Sequence, residues 1–194
     1  MLPSANPGAI LLIGENPYVW LSETQGGPMT TQASVWTIVY SEKGAGHALF
    51  IKSELTGDEW RIYTDNVELS RWLQSTVQGM LNPESADPSI PVIKAVFSRH
   101  GDARDSWTEE IKSDEDEIAI TWRDIREPVL MSHQDASDLP DRPYGVSVVM
   151  VPAGGAQLTL NGKSAGGRLW PMDVNGYPLS TGGLAFAESW REDR

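Results

Sequence analysis

Residues 104–125, RDSWTEEIKSDEDEIAITWRDI, constrain the fold of this chain more than any other stretch. With Ser113, Asp114, Glu115 and Asp116 as a four-residue loop, the flanking residues pair as the arms of a β-hairpin. Lys112 then stands opposite Glu117, Ile111 opposite Ile118, Glu110 opposite Ala119, Glu109 opposite Ile120, Thr108 opposite Thr121, and Trp107 opposite Trp122. Side chains alternate between the faces of a strand, so Trp107, Glu109, Ile111, Ile118, Ile120 and Trp122 share one face. The other face carries the Lys–Glu and Thr–Thr pairs, each a favourable cross-strand contact of roughly 0.2–1 kcal/mol. A slip of one residue would exchange every face, so the pattern specifies its own register. An apolar hairpin face of this kind requires a core to cover it.

Glu109 breaks that apolar face. Desolvation raises a carboxyl pKa, which is how proteins obtain a general acid or base near neutrality. A charge at the sheet rim or a buried ion pair would also account for it. The strand at residues 184–190 repeats the arrangement. Strict alternation there places Leu184, Phe186, Glu188 and Trp190 on one face, with Glu188 between two aromatic rings.

The rest of the chain is punctuated in the same β-rich style. Residues 9–13, 18–23, 34–41, 47–53, 59–64, 90–99, 129–133, 144–151 and 157–160 read as strands. Residues 34–64 form an antiparallel meander, 24–31 and 82–89 are loops, and 134–143 is an acidic, proline-bearing loop. A turn at residues 152–155 separates two of the strands. Asn161–Gly162 has the composition of a type I′ turn, followed by a glycine-rich return arm, and 176–183 is a loop into the last strand. One helix is expected over residues 65–80, capped by Asp65 with Glu68 in a capping box and ended by Gly79 and Pro83. Leu69, Trp72, Leu73, Thr76, Val77 and Met80 form its apolar stripe. These elements predict one mainly β domain over residues 1–194, with residues 1–7 a loose terminus. Its architecture is an antiparallel, calycin-like barrel or a two-sheet sandwich with one amphipathic helix.

Composition narrows the function classes. A formal charge of −12 disfavours nucleic acid and anionic membranes as partners, because both select basic patches. The chain has no cysteine, which removes thiol nucleophiles, thiolate metal sites and disulfides and suits a cytoplasmic setting. The apolar run at residues 9–13 is too short for a membrane span or signal segment. Neither a G-x-S-x-G elbow nor a phosphate-binding loop is present.

Three functions fit what remains. The first is binding of a small, apolar or aromatic molecule in a barrel cavity lined by Trp107, Trp122, Phe186 and Trp190, with no cofactor. The second is acid–base catalysis of the hydratase, isomerase or cyclase type, with Glu109 and Glu188 sharing that cavity at separated pKa values. A scaffold or interaction module is the bland alternative to both. The third involves a metal. The order His100, Asp102, His133, Arg142 is similar to the H-x-D…H…R order of iron(II)/2-oxoglutarate dioxygenases. That resemblance implies a facial triad with open coordination positions. It spans only these residues, with a shorter gap between Asp102 and His133 than that family shows.

Overall fold

The structure, a computed structural model, describes residues 10–133, 144–174 and 176–192, with His133 described through its backbone only. Among the described residues, fifteen strands carry the fold: β1 (Ile10–Glu15), β2 (Tyr18–Ser22), β3 (Met29–Ser41), β4 (Gly46–Ser53), β5 (Trp60–Thr64), β6 (Val92–Lys94), β7 (Val96–Gly101), β8 (Ser106–Lys112), β9 (Glu117–Ile125), β10 (Val129–His133), β11 (Tyr144–Leu160), β12 (Lys163–Ser164), β13 (Pro171–Val174), β14 (Tyr177–Ser180) and β15 (Gly182–Glu192). Thirteen of them form one mixed sheet whose main path runs β6-β5-β4-β3-β1-β15-β11-β9-β8-β7. The pair β13–β14 makes a separate hairpin.

The hairpin β8–β9 has the register its sequence dictates, from Lys112 opposite Glu117 to Trp107 opposite Trp122. Its apolar face lies in the inner core. The sheet curls until its two halves face each other, so Val35, Ile51 and Tyr63 meet Ile111, Ile120 and Trp122 in one cluster. Each aliphatic side chain fully buried there contributes about 1.5–3 kcal/mol. The end strands β6 and β7 are not hydrogen-bonded to each other, so the barrel is not closed. They are nevertheless consecutive in the chain, separated by Ala95 alone, whose N–H donates to the Thr64 carbonyl at 2.9 Å.

A second core lies on the outer face of β3–β5, under helix α1 (Val67–Leu73), the π-turn Gln74–Gln78 that follows it, and helix α2 (Gly79–Leu81). Trp36, Phe50, Ile62, Leu69, Trp72 and Val77 fill it. The helix is where the spacing places it, but its cap is Asn66, whose side chain accepts from the Leu69 N–H at 3.1 Å. Asp65 turns instead to β4, accepting from the His47 backbone N–H at 2.7 Å and meeting His47 Nδ1 at 2.6 Å. Gly79 does not end the helix either. It continues it in right-handed conformation, and its N–H donates to Gln74 O to close the π-turn.

Two other expectations fail for one shared reason. Residues 152–155 are no turn, because β11 runs through them unbroken. Pro152 is the last partner of β15, opposite Gly183, and Ala153 is the first partner of β9, opposite Ile125. Proline and glycine here mark a strand changing neighbours; these residues serve turns and sheet corners alike. Likewise, residues 176–183 include strand β14, despite Pro178. Asn161 and Gly162 do adopt the paired positive φ of a type I′ turn, at 51° and 76°. The loop at residues 134–143 and the terminus at residues 1–7 lie outside the described residues.

Candidate functional site

A cavity of about 410 Å³ opens on the outer face of the sheet, between the C-terminal end of the helical segment and the β13–β14 hairpin. Strand alternation supplies its walls. On β2, Tyr18 and Trp20 face it while Val19 and Leu21 face the inner core. On β3, Gln32 and Ser34 face it while Ala33 and Val35 face inward. Four of the chain's six methionines (Met29, Met131, Met150 and Met172) also line it. Thioether chains are flexible and polarisable, so such a wall adapts to the shape of what it contacts.

Glu188 and Trp190 belong to this cavity, and Glu109 does not. Leu184 and Phe186 point into the inner core, as alternation requires. Ala187 then takes a left-handed φ of 50°, and the pairing of β15 with β11 shifts between Ser147 and Val149. This bulge inserts a residue, and the face changes. Glu188 therefore emerges beside Ala185 in the outer cavity, not beside Phe186 in the core. It is 5 % exposed, and its Oε1 accepts from Trp190 Nε1 at 2.6 Å.

Glu109 lies on the inner side, 2 % exposed, near Trp107 and Phe186, whose rings meet edge to face at 5.4 Å. Its Oε1 accepts from Trp107 Nε1 at 2.9 Å and lies 3.3 Å from Arg99 Nη2. Arg99 reaches across from β7 to Glu15 on β1 at 2.6 Å and to Thr37 on β3 at 2.7 Å. Burial pushes the Glu109 carboxyl above its ordinary range, and the Trp107 N–H and the Arg99 guanidinium pull it part of the way back. Trp122 is fully buried, with its indole N–H on the Tyr18 carbonyl at 2.9 Å. The four aromatic residues expected to share a cavity are thus divided: Trp107, Trp122 and Phe186 on the inner side, Trp190 on the outer.

Of the metal candidates, His100 lies on β7 and Asp102 just after it. His100 Nε2 faces Glu110 at 3.7 Å, and Asp102 closes its own turn by accepting from the N–H groups of Arg104 and Asp105. Arg142 and the His133 side chain lie outside the described residues. Among the described residues, no three potential ligand side chains gather closely enough to hold a metal ion.

Sequence reasoning missed the polar part of the cavity wall, which is built from carboxamides. Trp36 Nε1 donates to Gln78 Oε1 at 2.8 Å, Ser34 Oγ to Asn16 Oδ1 at 2.7 Å, and Asn82 Nδ2 to Gln32 Oε1 at 2.7 Å. Gln78 enters the wall because the π-turn widens the helix and rotates the following residues. A 3.6-residue period places Met80 on the buried stripe and leaves Gln78 off it. Only a signal for the π-turn could have found it, and Gly79 is the single hint: a Cβ there would collide with the Gln74 carbonyl and lie 2.8 Å from Ala86 Cβ.

Comparison of the chain with protein-family models, with curated proteins and with solved structures finds no match.

Proposed function

We propose that this protein binds a small, largely apolar molecule in the outer-face cavity. The observation that supports this reading is the cavity itself. At about 410 Å³ it falls in the range of small-molecule sites, and its wall combines methionine and aromatic surface with a few fixed polar groups. The binding wall differs from the one expected from sequence, with Trp20 and Trp190 as its indoles. With no cysteine to oxidise, the chain suits a reducing cytoplasm. Acid–base catalysis at this site would fall to Glu188 alone, since Glu109 is committed to the inner network with Arg99.

The test is binding of N-phenyl-1-naphthylamine, an apolar probe that fluoresces on leaving water. Saturable binding is expected with the natural chain. It should be lost in Ala185→Phe, which fills the cavity floor, with circular dichroism unchanged. A probe signal that persists undiminished in the folded variant would refute this site.

A further inference from the structure

We propose that the cavity selects neutral apolar molecules carrying a hydrogen-bond-accepting carbonyl oxygen, and that the Gln78 side-chain amide is the group that reads it. This inference rests on the binding reading above and specifies its ligand class.

An indole N–H can only donate, so Trp36 Nε1 at 2.8 Å must face the oxygen of Gln78 and not its nitrogen. That fixes the carboxamide, and its Nε2 is left without a partner among the described residues. Gln78 is only 4 % exposed and lines the cavity. Asn16, 8 % exposed, repeats the arrangement: Ser34 occupies its oxygen, and its Nδ2 has no partner among the described residues. Gln32 does so again, with its oxygen taken by Asn82. Of these amides, Gln78 is the one whose orientation a donor-only partner fixes. A ligand that enters the cavity displaces water from these donors. A ligand oxygen placed there replaces that water as acceptor, and a hydrocarbon offers none. The formal charge of −12 disfavours an anionic acceptor. A neutral carbonyl remains.

Benzophenone and diphenylmethane have nearly the same shape and differ in that one oxygen. Titration calorimetry on the full chain should show benzophenone binding about three- to tenfold more tightly. Gln78→Glu keeps an acceptor for Trp36 and removes the donor, so the ratio of benzophenone to diphenylmethane affinity should fall toward one. Equal affinity of the two probes for the natural chain overturns the carbonyl inference and leaves the binding site standing. Failure of both to bind overturns the site itself. Benzhydrylamine binding more tightly than benzophenone also overturns the inference, because the site then selects a donor or cation and not an acceptor. The natural-chain comparison decides the matter even where Gln78→Glu does not fold.

Discussion

Burial and hydrogen bonding act in opposite directions on Glu109, and burial is the larger. A carboxyl whose folded pKa exceeds its unfolded one binds more protons in the native state. Between the two values, stability therefore falls as pH rises. Glu109→Gln removes that loss, and it also removes the charge that Arg99 faces at 3.3 Å. The expected result in urea denaturation is a pH series in which the natural chain loses stability, relative to the variant, from the ordinary glutamate range upward. A difference between the two that does not vary with pH would show that the carboxyl is not shifted. Glu188 looks the same in sequence, a carboxylate two residues from an indole on one strand. Both indoles do donate to their carboxylates. The local pairing was therefore legible, because it needs only strand alternation. The location was not: a single left-handed residue, Ala187, sends Glu188 to the other side of the sheet. Alanine carries no signal for that conformation, which favours glycine or asparagine.

The helical segment shows what can be read from spacing and what tertiary contact decides. Its span and its apolar face follow from the period of Leu69, Trp72, Leu73 and Val77. Its cap was a choice between adjacent Asp65 and Asn66, both competent acceptors. The start of β4 decided it, since Asp65 satisfies the His47 N–H while Asn66 caps and also donates to the carbonyls of Lys43 and Ala45, each at 3.1 Å. Asn66→Ala should destabilise the protein by about 1–2 kcal/mol. Asp65→Ala removes a half-exposed pairing with His47 and should cost less than about 1 kcal/mol. Thermal or urea denaturation of the two variants checks the order. A larger loss for Asp65→Ala would restore the sequence-based cap.

Fold class was legible because the strands alternate and the turns are punctuated; strand order was not, because nothing local encodes which edge meets which. The two larger cores divide the work. The inner one, between the halves of the curled sheet, holds the hairpin that defines the sequence, and the outer one seats the helical segment and borders the cavity. The described residues contain no helix long and apolar enough to cross a membrane. The run Val92–Gly101 supplies both margins of the sheet, with Ala95 as the only residue between them. Neither margin can fray by itself: peeling β6 from β5 drags Ala95 from Thr64 and pulls on β7, where Arg99 holds β1 and β3. Amide hydrogen exchange should accordingly report one opening event for β6 and β7, with matching free energies and matching response to denaturant. Separate values for the two strands would mean that the margins breathe independently. In a curled sheet whose ends share no hydrogen bonds, cooperativity is then carried along the covalent chain, as a hoop is held by its overlap.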